Sequence, residues 1–147
     1  MNVLDCAKLI SKKFAAWYYN YLNSEIRTAK YEDFFANTTF ILKIIRDSNN
    51  DDRMDTVTEI MAENDKETAK ILNFIKYGLK YKFSPANINY CVDVYGQIEI
   101  IIYGTVHERP GHKVVGLFSQ TFLIINDPDP PVNNYKIFKS NVLLHIG

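Results

Sequence analysis

A single α+β domain, helices first and antiparallel strands after, is the fold class this sequence predicts. Three observations lead there. In the first part of the chain apolar residues recur at three- and four-residue steps, the period of a helix with one buried face. The second half is a succession of β-branched and aromatic runs separated by Gly, Pro, Asn and Asp. The 147 residues, 47% hydrophobic with ten Tyr and nine Phe, supply one core, and the composition is far from that of a disordered chain. A domain of this size buries roughly 70% of its unfolded surface.

Taken in order, Asp5 to Leu22 reads as a helix. Leu9, Ile10, Phe14, Trp17, Tyr18 and Tyr21 gather on one broad face, and Asp5 favours the N-terminus. A short helix is expected over Thr28 to Phe35, with Tyr31, Phe34 and Phe35 on one side. Thr38 to Ile45 is β-branched and apolar, a strand. Asp47 to Asp52 is a polar turn, and Thr56 to Ile60 a short strand. Asp65 to Tyr77 reads as a helix with Ala69, Leu72, Ile75 and Tyr77 inward and Gly78 as its stop. Strands follow at Asn87–Val94, Gln97–His107, Val114–Asn126 and Tyr135–His145. Tyr95-Gly96, Arg109-Pro110-Gly111-His112 and the proline-rich Asp127–Pro131 separate them, because proline removes ladder donors. Tandem hairpins of this kind make an antiparallel meander.

The strands are apolar on both sides. Along the second long strand Ile98, Ile100, Ile102 and Val106 point one way, and Glu99, Ile101, Tyr103 and Thr105 the other. Along the next, Val114, Phe118, Gln120, Phe122 and Ile124 oppose Val115, Leu117, Ser119, Thr121, Leu123 and Ile125. A sheet with one wet face alternates more cleanly. Helices cover one face; loops and the sheet's own curl, or a partner subunit, cover the other, and the partner is the preferred reading.

Charge and chemistry exclude several functions. Lys plus Arg equals Asp plus Glu at 17 each, so nothing argues for capture of nucleic acid or membrane by net charge. From Asp47 to Glu67, eight acids face two bases, a net of −6: a solvated edge or a docking patch for a basic partner. Cys6 and Cys91 have no metal-type spacing and read as two buried free thiols in a reducing compartment. Met1 to Ile10 lacks the long apolar core of a signal peptide, and no run approaches membrane-spanning length.

For acid–base chemistry the candidates are Asp93, Glu99, His107, His112 and His145. The first histidines fall at a hairpin tip, His145 near the C-terminus, Asp93 at a turn, and Glu99 on a strand face. There is no triad, nucleophile motif, phosphate loop or metal cluster, so neither catalysis nor a cofactor is expected. The cluster Trp17, Tyr18, Tyr19, Tyr21 has helical spacing, which favours packing over base stacking.

Several blocks together resemble the nuclear transport factor 2-like family. Phe14 to Asn23 is similar to its first-helix pattern F-x-x-x-Y-Y-x-x-L. Phe34 to Phe40 resembles a short helix running into the first strand, and Ile88 to Asp93 a strand with an apolar-Asp element. Gly104-Thr105-Val106 followed by Phe118-Ser119-Gln120-Thr121-Phe122 resembles G-x-V…F-x-Q-x-F, and Tyr135-Lys136-Ile137 the opening of the final strand.

The resemblance implies a strongly bent antiparallel sheet wrapped around the long N-terminal helix with two further helices, a cone-like domain that often dimerises through its sheet. It is closest to the eukaryotic transport branch. That implies a non-catalytic adaptor of nucleus, cytoplasm and nuclear pore. Such an adaptor resembles the small mRNA-export cofactor that heterodimerises with a larger receptor and helps bind phenylalanine-glycine repeats. A homodimeric Ran-GDP import carrier is an alternative reading. Its acidic hairpin, however, corresponds to the mostly basic His107–Lys113 here. A cone-type isomerase, dehydratase or ligand-binding protein is a third. The family's N/S-D-x-aromatic-Arg ending corresponds to Ser140–Leu144, without the Asp or the Arg, so an interface must rely more on apolar contact. The expected interface residues are Ile101, Tyr103, Leu117, Ser119, Thr121, Leu123, Ile137 and Leu143.

Overall fold

The structure is a computed structural model, describing residues 3–24, 35–48, 54–127 and 134–147. Helix α1 spans Val3–Asn23. Strands β1 (Phe35–Arg46) and β2 (Thr56–Ala62) follow, then helix α2 (Asp65–Asn73), which continues into a π-helical stretch, Phe74–Leu79. Strands β3 (Tyr81–Val92), β4 (Ile98–Glu108), β5 (Val114–Asp127) and β6 (Asn134–Ile146) complete the chain. The expected helix over Thr28 to Phe35 lies outside the described residues, apart from Phe35, which opens β1.

All six strands form one sheet, in the order β2-β1-β6-β5-β4-β3. From β3 to β6 it is the expected antiparallel meander. β1 then docks parallel to β6, with Leu42 opposite Val142, and turns back into β2. Pairing slips at Pro85/Asn87, Val106/His107 and Leu123/Ile124; such bulges raise twist and bend a sheet. Gly104 sits at a close crossing of β4: a Cβ there would lie 2.1 Å from the Ser84 carbonyl oxygen and 2.7 Å from the Phe118 ring.

α1 lies against the sheet with Ala7, Ser11, Phe14, Ala15, Tyr18, Tyr19 and Leu22 buried. This corrects the expected helix face. Leu9 and Trp17 remain 45% and 38% exposed, while Tyr19 is fully inside. The small residues Ala7, Ser11 and Ala15 recur every four positions, so the backbone approaches the sheet along them and flanking aromatics fill the sides. Phe14 and Tyr18 pack edge-on against Phe122 at ring-centroid distances of 5.5 and 4.8 Å, and Tyr19 on Phe118 at 5.6 Å.

α2 is anchored at its start. The Asn64 side chain accepts the Glu67 N–H (2.8 Å) as N-cap. The Asp65 carboxylate accepts the Thr38 N–H (2.7 Å), and the Thr68 hydroxyl donates to the carbonyls of Asn64 and Thr38. Gly78 is not the stop that its type predicts: it lies inside the π turn, where an added Cβ would meet the Phe74 ring at 2.9 Å. The stop is Lys80, in the left-handed region (φ 59°), whose N–H donates to the Ile75 carbonyl.

Candidate functional site: the outward face of the sheet

The inward face is closed. Ile98, Ile100, Ile102, Phe118, Phe122 and Ile124 are buried beneath α1. Among them Gln120 carries a polar network. The Tyr19 hydroxyl donates to its Oε1 (2.7 Å), and its Nε2 donates to Tyr18 Oη (3.2 Å) and Ser140 Oγ (3.1 Å). Ser140 in turn donates to the Thr121 carbonyl (2.8 Å). Every member has a partner, as a buried polar group requires. Burial, and then the neighbouring Tyr18, push the Tyr19 hydroxyl well above its usual pKa, so it remains a donor at neutral pH.

The groups considered for acid–base work lie outside this network. Asp93 holds the β3–β4 turn, accepting the N–H of Tyr95 (2.8 Å) and of Gln97 (2.9 Å). Glu99 is on the outward face, where it accepts a long bond from the Cys91 thiol (3.9 Å). Partial desolvation, then this carboxylate, push that thiol up. His107 and His112 belong to the β4–β5 hairpin, with His107 Nδ1 3.2 Å from the His112 carbonyl oxygen. His145 Nε2 lies 2.6 Å from Asp47 Oδ1, both half-exposed. Cys6 and Cys91 are free thiols but exposed, not buried as expected. Cys91 alternates outward beside Glu99, and Cys6 is on the solvent side of α1. Among the described residues no group of His, Cys, Asp or Glu could hold a metal ion, and no helix is long and apolar enough to cross a membrane.

The outward face is built by alternation and register. Tyr103 pairs with Ser119, which pairs with Leu143; Ile101 pairs with Thr121, and Glu99 with Leu123; Leu117 lies opposite Thr105. The row continues through β1 and β2 as Ile41–Met61, Lys43–Glu59 and Ile45–Val57. Tyr103 and Leu117 are 48% and 61% exposed, Val57 and Met61 56% and 55%. Ile101, Leu123 and Leu143 are half-buried.

Seven of the eight expected interface residues share this face; Ile137 does not. It is fully buried (0% exposed) and paired with Ile124 on the inward side. Between Leu123–Lys139 and Ile124–Ile137 the strand β6 carries one extra residue, Phe138, and that bulge inverts the alternation on its far side. Val57, Met61 and Ile41 join the face instead. The short strand β2 gave no strong pattern in sequence, and the pairing of β1 with β6 is not a local property, so these residues carried no signal.

A bent six-stranded sheet closed over a long helix is the nuclear transport factor 2-like cone. Solved structures share it. Nuclear transport factor 2 (Ntf2) from Cryptosporidium parvum superposes with a TM-score of 0.62 at 16% identity, covering 93% of this chain and 93% of that one. The complex of yeast deubiquitinase Ubp3 with its cofactor Bre5 gives 0.64 at 14% identity, over 95% and 97%. The β subunit of a putative aromatic-ring-hydroxylating dioxygenase from Novosphingobium aromaticivorans gives 0.67 at 11% identity, over 99% and 94%. No curated protein matches the chain in sequence. The chain belongs to the family described as the DUF4518 C-terminal domain, which its residues 8–146 match.

Proposed function

We propose that the chain is a non-catalytic protein-binding adaptor that pairs, through the outward face of its sheet, with another domain of the same fold. One observation carries the reading: exposed and half-buried apolar side chains, Ile101, Tyr103, Leu117, Leu123 and Leu143 on β4–β6 and Ile41, Val57 and Met61 on β1 and β2, lie among polar ones on the face away from α1. Exposed apolar side chains gathered on one face mark a candidate interaction site. Burying each large side chain fully contributes about 1.5–3 kcal/mol before binding costs. The likeness to Bre5, solved in complex with Ubp3, and to Ntf2 supports a binding role. The buried, mutually hydrogen-bonded Tyr–Gln–Ser network on the inward face supports it too.

The finer reading is an adaptor of nucleocytoplasmic transport, working in nucleus and cytoplasm and at the pore, after the pattern of the small mRNA-export cofactor. Phenylalanine-glycine repeats are its second class of partner. The basic β4–β5 hairpin disfavours the Ran-GDP carrier. Light scattering after size exclusion, with the chain alone and with candidate domains of this fold, tests the reading. Tyr103→Arg and Leu117→Arg are expected to weaken assembly by tenfold or more with the thermal midpoint of the monomer unchanged. Assembly unaffected by both substitutions sinks the proposal.

A further inference from the structure

The sheet ends in β3, and the two halves of that edge are finished differently. The Asp93 N–H donates to the Gln97 carbonyl (3.0 Å), and Cys91, Asn89 and Asn87 stand opposite Glu99, Ile101 and Tyr103. Bonding alternates along an antiparallel strand. These three residues therefore bond to β4, and Ile88, Tyr90 and Val92 turn their N–H and carbonyl groups to the edge. The first half of the edge is closed. The Asn23 side chain, at the end of α1, accepts the Phe83 N–H (2.8 Å) and donates to the Phe83 carbonyl (2.7 Å), as a neighbouring strand does. Pro85 has no N–H to offer, and the pairing slips just after it. In the second half, no group among the described residues takes up the backbone of Ile88, Tyr90 or Val92.

An edge strand is ordinarily blunted by Lys, Pro, a bulge or a covering loop. Past the bulge, Asn87 to Val92 contains no proline, glycine or charged residue. The side chains beside the open backbone are apolar. Ile88, Tyr90 and Val92 lie opposite the buried Ile102, Ile100 and Ile98, and they pack against the core while remaining half-buried. A strand added here places every second residue on that flank. The charge beside the edge has one sign. From Phe83 to Val106 the two strands and their turn hold Asp93 and Glu99 and no Lys or Arg. The Asp93 carboxylate is engaged in the turn. Glu99 is exposed on the outward side, one strand in from the edge, behind Cys91. A second copy of β3 brings the same acids to the edge, whereas a segment with a basic residue complements them.

We propose that the free edge of β3, from Asn87 to Val92, takes up an extended segment of a partner protein as a seventh strand beside the six of the sheet. Main-chain bonds to Ile88, Tyr90 and Val92 give the affinity, and side chains at alternate positions give the choice of partner. The segment is apolar at the positions that cover the flank of these three residues. Between them it carries a Lys or Arg that reaches across Cys91 to Glu99. Asn23 and Pro85 set the limit of the site at one end, and the Asp93 turn at the other. The site uses backbone groups at the edge and does not depend on docking at the outward face.

The test is amide hydrogen exchange of the whole chain, read residue by residue by NMR. The probe is a small library of blocked peptides, each about seven residues long, that alternate β-branched or aromatic residues with Lys, Arg and Thr. In the free chain the Ile88, Tyr90 and Val92 amides are expected to exchange roughly tenfold faster than those of Asn89 and Cys91, and a bound peptide to remove that difference. Methylating the peptide nitrogens that face β3 is expected to weaken binding by roughly tenfold without altering the protein. Tyr90→Pro is expected to do the same and still fold, because an edge N–H is not needed by the sheet. Glu99→Lys is expected to weaken the Lys-containing peptides at low salt and to spare those with Glu in place of Lys. Peptides that all fail to bind at millimolar concentration overturn the proposal, as does binding that leaves the three amides fast. Slowing of the same amides that grows with protein concentration, with no peptide present, assigns the edge to a second copy and overturns the partner segment.

Discussion

The two faces of one sheet are made by neighbouring residues of the same strands, yet they live in different environments. On β4, Ile100 and Ile102 are completely buried while Tyr103 beside them is 48% exposed. On β5, Phe118 is inside and Leu117 is outside. Both faces carry apolar residues, but on the outward one they are interleaved with Lys43, Glu59, Glu99 and Lys139. What separates them is that α1 and the Tyr18–Tyr19–Gln120–Ser140 network occupy one, and nothing within the described chain occupies the other. Stability therefore belongs to the inward face, and the proposed docking surface is the outward one.

The contrast is broken most directly at the bulge. Ile137→Ala is expected to cost about 2–5 kcal/mol of unfolding free energy, the penalty of a cavity in a packed core. Leu117→Ala on the outward face should change it by no more than about 0.5 kcal/mol. Urea denaturation of both variants reads the difference, and equal effects would mean that Phe138 does not invert the strand.

Next in size is the inward polar network. Gln120→Leu keeps the volume but strands the Tyr19 donor, and is expected to cost about 1–3 kcal/mol. The same network carries a pH signature. Tyr19 titrates above the ordinary value of 10.0 in the folded chain. Above that pH the unfolded chain ionises first, so folding binds a proton and stability falls as pH rises. Denaturation midpoints from pH 8 to 11 should show this fall, and Tyr19→Phe should make it shallower.

The smallest expected effect is a gain. Ser11 is fully buried on the α1 stripe and its hydroxyl has no hydrogen-bond partner among the described residues. Ser11→Ala removes an unsatisfied group and favours the helix, raising stability by about 1 kcal/mol. A lower melting temperature for this variant would show that the hydroxyl has a partner after all.

Much of this was legible along the chain. The period-two pattern of β4 and β5 identified their inward and outward residues one by one, because pleat alternation is a local property of a strand. The start of α2 was readable from Asp65, although its cap, Asn64, and its stop, Lys80, were not. Leu9 and Trp17 misled, since bulk suggested burial where the structure uses Ala7, Ser11 and Ala15 to bring α1 close. The thiols of Cys6 and Cys91 misled in the same way, through residue type. Of the candidate site, seven residues were readable by parity. Ile137 was not, since one inserted residue inverts parity and leaves no mark in composition.

By itself the sequence determined an α+β domain, its strands and long helix, and the fact that both sides of the hairpin ribbons are apolar. These follow from hydrophobic period and turn chemistry, which act over a few residues. Only the tertiary structure decided that β1 lies parallel to β6, that Phe138 bulges, and that β2 and β3 end up as opposite edges of one sheet. Those outcomes depend on which distant strands pair, and pairing is settled by the packing of the whole core around α1.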